Sequence, residues 1–248
     1  MKYYYKTKER EITNYEQWKQ MFEENDPSNW KEGRSAQSLA SFIMRTAGEG
    51  ERIIREAVNN VLKNDEINSL DYGIVEYESR FDSLGKGRMQ DVAIWGETKS
   101  HKTIHIAIEA KVTEEFGPTI AGALKEAESA LSKNSKSKKK ERILKLSENI
   151  FNVSPNTISK LRYQLLHYTA GTKNVDADIH VMLILVFKTE DYYKQADKAI
   201  NNRRDFYLFM ESLGTMIDAN SYELTEVSND FYVIYSDINL KNDPSSHQ

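Results

Sequence analysis

Two neighbouring segments of the chain, residues 88–95 and 103–112, limit its possible folds more than any other feature. The first reads Arg-Met-Gln-Asp-Val-Ala-Ile-Trp and the second Thr-Ile-His-Ile-Ala-Ile-Glu-Ala-Lys-Val. Both have the alternating or continuous apolar pattern of β-strands, and residues 85–87 and 96–100 have the glycine-containing, polar composition of turns. A strand as apolar as the second belongs in the middle of a sheet, where unpaired charges are costly. The charged residues at its end therefore require an explanation.

These charged residues are Glu109 and Lys111. Side chains two apart on a strand point to the same face, so the two share a face while Ala110 and the isoleucines point the other way. If the two strands pair as a hairpin, Asp91 reaches the same end and face as Glu109. Two carboxylates and an ammonium group would then converge, a set that suits Mg²⁺ or Mn²⁺ bound together with a phosphate. Lys111 would orient the attacking water or stabilise developing negative charge. The alternative for so short a pattern is a pair of surface residues on a solvated edge strand.

Composition narrows the class of protein. A chain of 248 residues can form one large domain or two small ones, and without a repeat or an evident linker we predict a single domain over residues 1–248. The net charge of −4 gives no global attraction to nucleic acid, so any such binding needs a local basic patch. The absence of cysteine excludes disulfides and thiolate metal sites and fits a reducing compartment. With no signal-like or membrane-spanning apolar segment, we expect a soluble, cytoplasmic protein without a membrane partner.

The rest of the chain alternates helical and strand patterns. Residues 177–187 are the most apolar run and predict a buried central strand, and 242–248 have the polar composition of a frayed tail. The other predicted strands cover 72–81 and 231–235, and the predicted helices cover 15–22, 35–44, 51–63, 117–131, 154–171 and 202–210. Ser35 and Ser154 are the expected caps of two of these helices. The order predicts an α/β fold, with a mixed central β-sheet flanked by helices.

Three further features are candidate functional positions. Gln164 and Tyr168 are four apart and share one face of a predicted helix. Glu56 can pair with Arg52 at i,i+4, which we favour slightly over a catalytic role. The run 133–142 is strongly basic and is either a solvated loop or helix start, or an arm that follows a phosphate backbone. The residues of that arm would be Lys136, Lys138, Lys139, Lys140 and Arg142.

These motifs together resemble a known family. Asp91 followed by Glu109-Ala110-Lys111 resembles the bipartite PD-(D/E)xK motif of the restriction-endonuclease-like nuclease superfamily. Gln164-Leu165-Leu166-His167-Tyr168 is similar to the Q-x-x-x-Y motif of its RecB and lambda-exonuclease branch. The resemblance covers roughly residues 50–190, and Gln90 stands where the family motif has proline, a frequent departure in the superfamily.

The resemblance implies a restriction-endonuclease-like core (αβββαβ) over about 50–190, with an N-terminal helical extension at 1–49 and a C-terminal helix–strand extension at 190–241. It implies that Asp91 and Glu109 hold the metal, with the Ala110 carbonyl as a further ligand, and that Lys111 positions or activates the attacking water. Gln164 and Tyr168 would orient Lys111 or contact the nucleic-acid backbone. An acidic residue of the first core helix, Glu56 or Glu51, would join the site.

The expected function is that of a Mg²⁺- or Mn²⁺-dependent nuclease acting on DNA in bacterial defence, restriction or repair. The alternative is a non-catalytic protein that uses the same fold to bind nucleic acid or a partner. A Ser/His hydrolase has little support, since the chain has no G-x-S-x-G motif. The sequence does not decide whether the substrate is DNA or RNA, whether it is single- or double-stranded, or whether the enzyme is an endonuclease or an exonuclease. It also leaves open whether the chain forms a homo-oligomer or needs a partner protein.

Overall fold

The computed structural model describes residues 1–45, 48–63, 65–134, 136–214, 224–228 and 230–240. In that part of the chain, eight strands form one mixed sheet with the order β2-β1-β3-β4-β5-β6-β8-β7. The strands are β1 (Lys2–Tyr5), β2 (Glu11–Ile12), β3 (Ile67–Ser79), β4 (Arg88–Thr98), β5 (Thr103–Lys111), β6 (Ile179–Lys188), β7 (Leu224–Ser228) and β8 (Phe231–Asn239). The helices are α1 (Tyr15–Asn25), α2 (Ser35–Met44), α3 (Glu49–Leu62), α4 (Ile120–Lys133), α5 (Lys139–Phe151), α6 (Tyr163–Lys173), α7 (Glu190–Lys194) and α8 (Ala196–Ser212).

The centre of the sheet is an antiparallel meander of β3, β4 and β5, followed by parallel pairing of β5 with β6 and of β6 with β8. The expected hairpin is therefore present. Its register runs from Glu97↔Thr103 to Val92↔Ile108. Asp91 and Glu109 are the next residues beyond this last pair, so they lie where the two strands stop pairing.

Helices cover both faces of the sheet. Helices α1, α2 and α3 pack on one face, where Phe42 and Ile54 join a core with Val92 and Ile106. Helices α4, α5, α6 and α8 cover the other face, where Ala107 and Met182 are buried. Burial on both faces explains why β5 and β6 read as almost continuous apolar runs. The predicted α/β fold with a mixed sheet flanked by helices is confirmed.

The predicted helix start at Ser154 is wrong. The helix begins at Tyr163, and the preceding residues form turns. The reason is a tertiary contact that the local pattern does not contain: the backbone of Leu161 accepts the N–H of Ile120, and the Tyr163 N–H donates to the carbonyl of Pro118. Backbone groups committed to the start of α4 are not available for a helix. Ser35 is likewise not a cap but the first residue of α2.

The predicted N-terminal extension is only partly helical. Strands β1 and β2 precede α1, and β1 pairs in parallel with residues 72–75 of β3, burying Tyr3 and Tyr5. Strands this short carry too few residues to show a period. The predicted frayed tail at 242–248 lies outside the described residues. No helix in the described ranges is long and apolar enough to cross a membrane.

Candidate active site

The central residues of the predicted motif come together at the end of β4 and β5. Glu109 and Lys111 are buried, with exposed fractions of 3% and 6%, and Lys111 Nζ lies 2.9 Å from Glu109 Oε1. Asp91 Oδ2 accepts the backbone N–H of Ala110 at 2.7 Å. The separation of the strands beyond Val92↔Ile108 thus leaves room for a carboxylate from each strand and an ammonium group.

Gln164 links the two charged residues of β5. Its Nε2 donates to Glu109 Oε1 at 2.6 Å, and its Oε1 accepts from Lys111 Nζ at 3.4 Å. Gln164 lies in the first turn of α6, and the backbone contacts between this end of the helix and the start of α4 fix its position. The amide therefore holds Lys111 beside Glu109, at the place that the sequence predicted for Gln164.

A cation that the sequence analysis did not select lies on the other side of Glu109. The Arg88 guanidinium donates to Glu109 Oε2 and lies 5.1 Å from the centre of the Tyr168 ring. Tyr168 is only 1% exposed. It therefore supports Arg88 and is not positioned to contact a bound nucleic acid. The close approach of α6 to β4 favours glycine at Gly171, because an added Cβ would lie 3.0 Å from Arg88 Cβ, a tighter contact than is usual.

Arg88 reaches this face because the alternation of side chains between the two faces of the sheet is interrupted in β3 at Glu76 and in β4 at Asp91. The register pairs Val75 with Val92 and Tyr77 with Gln90, so Glu76 and Asp91 lie opposite each other between these two pairs. Val92 packs in the core under α1–α3, whereas Gln90, two residues away, contacts His105 on the opposite face at 3.1 Å. Strict alternation would place both on one face.

Glu76 is the second site residue that the sequence analysis missed. Its φ of +52° is left-handed, a conformation that costs a non-glycine residue about 1–2 kcal/mol. Such outliers inside a strand mark positions where the surrounding structure holds the backbone against its preference. One signal was present in the sequence, a glutamate on the predicted strand before Asp91, but alternation alone did not place it at the site.

The carboxylates have unequal electrostatic environments. Burial, reinforced by the charges of Glu109 and Glu76, raises the pKa of Asp91 well above its ordinary value. Burial also acts to raise the pKa of Glu109, but Arg88 and Lys111 outweigh it and hold that pKa below the ordinary value. Burial, with Glu109 adding to it against the opposing charges of Lys6 and Arg88, raises the pKa of Glu76 to about 7. Asp91 and Glu76 therefore hold their protons more tightly than free carboxyl groups do, while Glu109 stays ionised between Arg88 and Lys111.

The three carboxylates line a cavity of about 560 Å³. The sheet side of this cavity is formed by Glu76, Arg88, Asp91 and Glu109 together with Gln164, and the opposite side by residues between α1 and α2.

A turn directly after Lys111 attaches that opposite side to the end of β5. Glu114 accepts the backbone N–H groups of Val112, Thr113 and Ser35, and Arg34 donates to Thr113 Oγ1 at 2.8 Å. The start of α2 is therefore fixed relative to the end of β5.

The donor set fits a hard divalent cation. Asp91 and Glu109 supply carboxylate oxygens, and the Ala110 N–H points towards Asp91. The carbonyl of Ala110 points to the same side of β5, because the N–H and C=O groups of one residue in an antiparallel strand face the same neighbouring strand. Mg²⁺ commonly takes one or two carboxylates and keeps several waters. Within the described residues, no three His, Cys, Asp or Glu side chains already form a metal-binding group. A cation bound between Asp91 and Glu109 would nevertheless favour the ionised form of Asp91, which burial and the charges of Glu109 and Glu76 oppose in its absence.

The structure does not bring the remaining predicted residues to this cavity. Glu56 pairs with Arg52 on the exposed side of α3, as the spacing favoured, and Glu51 contacts the Met1 amino group at 3.4 Å. Neither is among the described residues that line the cavity. The structure therefore does not place an acidic residue of α3 in the site.

The predicted basic arm is largely part of helix α5. Lys139 and Lys140 pair with glutamates of α4, and Lys138 pairs with Glu141, while Lys136 is exposed in the preceding turn. Arg142 is only 9% exposed and donates to both oxygens of Asp82. The structure therefore gives Arg142 a place inside the fold and does not bring it to the surface with the lysines of the predicted arm.

The raised pKa of Glu76 makes a testable contribution to stability. Between the ordinary pKa of 4.5 and about 7, the unfolded chain has lost the Glu76 proton while the folded chain still holds it. The free energy of unfolding contributed by this group therefore falls as the pH rises through that window. We expect Glu76→Gln to stabilise the protein more at about pH 8 than at about pH 5, measured by urea denaturation at both pH values. An equal effect at the two pH values would contradict this.

Comparison with known proteins assigns the chain to a family. No match was found among curated proteins or among solved structures. A family profile described as "Domain of unknown function (DUF6946)" matches residues 11–240, which span every strand of the sheet except β1. The chain therefore belongs to the DUF6946 family.

Proposed function

We propose that this protein is a metal-dependent nuclease that hydrolyses phosphodiester bonds in DNA, in bacterial defence, restriction or repair. The observation that carries the proposal is the hydrogen-bonded set of Glu109, Lys111 and Gln164 beside Asp91, on a cavity where two strands separate. The element order α3-β3-β4-β5-α4-α5-α6-β6 also supports a restriction-endonuclease-like core, because it has the αβββαβ order that the resemblance implies, with two more helices before the last strand.

The chemistry of the residues is suited to this reaction. Asp91, Glu109 and the Ala110 carbonyl would hold Mg²⁺ or Mn²⁺, which would neutralise the scissile phosphate and lower the pKa of a water nucleophile. Lys111 would orient that water and stabilise the charge that develops on the phosphate. Gln164 fixes the position of Lys111, and Arg88 keeps Glu109 ionised. Tyr168 acts through Arg88.

A non-catalytic function on the same fold has one observation in its favour. Arg88 and Lys111 already neutralise Glu109 without any metal, so the arrangement is stable as a structural ion network. Such a protein would bind nucleic acid or a partner equally well with or without a divalent cation. The burial of Asp91 and Glu76 beside Glu109 favours the enzyme, because a purely structural network gains nothing from two more carboxyl groups whose ionisation burial opposes.

The first test is cleavage of labelled DNA by the wild-type protein and by Lys111→Met, each with Mg²⁺, Mn²⁺ or EDTA. We expect cleavage that requires the metal and falls about a hundredfold in Lys111→Met, the usual cost of removing one group that stabilises transition-state charge. Binding of Mn²⁺, followed by calorimetry, should persist in this variant and weaken in Asp91→Asn. Cleavage that survives in Lys111→Met would reject the site assignment. No cleavage under any condition, together with metal-independent DNA binding, would support the non-catalytic alternative.

A further inference from the structure

The cavity has two chemically different walls. Opposite the carboxylates, the segment between α1 and α2 contributes Asp26, Ser28, Asn29, Lys31 and Arg34 to the lining. Asp26 accepts hydrogen bonds from Ser28 and Asn29, so the positive charge of this wall comes from Lys31 and Arg34. A ligand that occupies the cavity thus meets carboxylates, and any cation that they hold, on one side and positively charged donors on the other. A phosphodiester has the charge that this pair of walls accepts.

The cavity is small for a nucleic-acid enzyme. Its volume of about 560 Å³ lies in the range of pockets that enclose drug-sized molecules, about 300–1,000 Å³. A nucleotide unit is of that size, whereas a continuous duplex is far wider. A paired nucleotide enters a pocket of this size only when it is taken out of the stack, which costs a few kcal/mol, and this cost is absent for a strand that is already unpaired.

The basic run on α5, the most basic segment of the sequence, offers little to hold a duplex. The basic run on α5 is partly neutralised, because Lys139 lies 2.6 Å from Glu126 and Lys140 lies 2.9 Å from Glu128. The whole chain is acidic, with a net charge of −4. Duplex binding depends on many phosphate contacts spread along a basic surface. The cavity itself is lined by two cations, Lys31 and Arg34, and these suit the sugar–phosphate backbone of one strand that enters it.

We infer that the site takes an unpaired DNA strand, with a phosphate held between the carboxylate wall and Lys31 and Arg34; this specificity rests on the proposed nuclease function. Lys31 is exposed at the cavity, and Arg34 is anchored to Thr113 beside the catalytic strand. A duplex region enters only after local unpairing.

Binding of a labelled oligonucleotide tests the inference separately from catalysis. Fluorescence anisotropy would compare one DNA strand with the duplex of the same sequence, using the wild-type full chain and Ca²⁺ in place of Mg²⁺. We expect the single strand to bind at least about tenfold more tightly, and Lys31→Ala to weaken that binding severalfold and reduce its salt dependence. Lys125→Ala, which removes an exposed lysine of α4 on the other face of the sheet, is the matched control and should change nothing.

The outcomes separate the two proposals. Equal or tighter binding of the duplex, or no effect of Lys31→Ala, would overturn the single-strand inference whatever the cleavage result. Metal-dependent cleavage measured on the same two substrates judges the nuclease assignment. Selective single-strand binding without cleavage of either substrate would reject the nuclease and leave the binding preference established.

Discussion

Replacing Glu109 with glutamine is expected to reduce metal-dependent DNA cleavage by about 10³-fold, because a loss of roughly 4 kcal/mol of transition-state stabilisation corresponds to that factor. Glu109 is the one residue that contacts Arg88, Lys111 and Gln164 together among the described side chains. Its charge is also one of the two that would hold the metal. Glutamine keeps the size and an acceptor oxygen for Lys111 but removes the charge, so the loss is chemical more than steric.

The measurement is single-turnover cleavage of labelled single-stranded DNA at saturating protein, with circular dichroism to show that the variant is folded. Glu56→Gln is the matched control, because it makes the same change on the exposed side of α3 and should leave the rate unchanged. If Glu109→Gln does not fold, Asp91→Asn tests the same ligand set. A folded Glu109→Gln protein that cleaves at the wild-type rate would exclude this cavity as the active site.

Arg142→Ala is expected to lower the free energy of unfolding by about 3 kcal/mol, the usual cost of breaking a buried ion pair. The guanidinium donates to Asp82 at 2.9 and 2.6 Å and to the carbonyl of Lys86 at 2.8 Å, and it lies 5.3 Å from the centre of the Phe81 ring. Its removal leaves the partly buried Asp82 carboxylate and a backbone carbonyl without their donors. The loop between β3 and β4 would lose its attachment to α5.

Urea denaturation of the wild type, Arg142→Ala and Lys140→Ala measures this difference. Lys140 comes from the same basic run, but its pair with Glu128 is exposed on both sides, so its removal should cost less than about 1 kcal/mol. Similar small losses in both variants would show that the Arg142 contacts contribute little. The pair of variants also separates the two roles that the basic run suggested in the sequence, a structural one and a nucleic-acid-binding one.

The sequence predicted the central strands and the cluster on them because both depend on local periodicity. Residues 103–112 alternate cleanly, so the shared face of Glu109 and Lys111 follows from the pleat, and the short connection before them favours a hairpin. Gln164 was found in the same way, through helical spacing and the motif that it completes. These are predictions in which the local pattern and the tertiary structure agree.

Arg88, Glu76 and the wall between α1 and α2 could not be found from local patterns. Arg88 is three residues before Asp91, and alternation assigns it to the opposite face; only the simultaneous change of faces in β3 and β4 brings it to Glu109. The wall depends on Ser35 reaching Glu114, a contact across 79 positions. The turns before Tyr163 show that a tertiary contact can also remove a predicted element. There, backbone hydrogen bonds to the start of α4 replace the helix that the local sequence predicted.

The left-handed backbone at Glu76 creates a conflict between stability and activity. Glycine adopts this conformation without steric cost, so Glu76→Gly would relieve backbone strain and remove a carboxylate that is held against its preferred ionisation. Selection for thermal stability alone would therefore favour replacement of this glutamate, and the same change would remove one of the three carboxyl groups that line the cavity. A thermostable variant obtained in this way would be expected to have a weakened site, so stability screens on this chain need an activity measurement beside them.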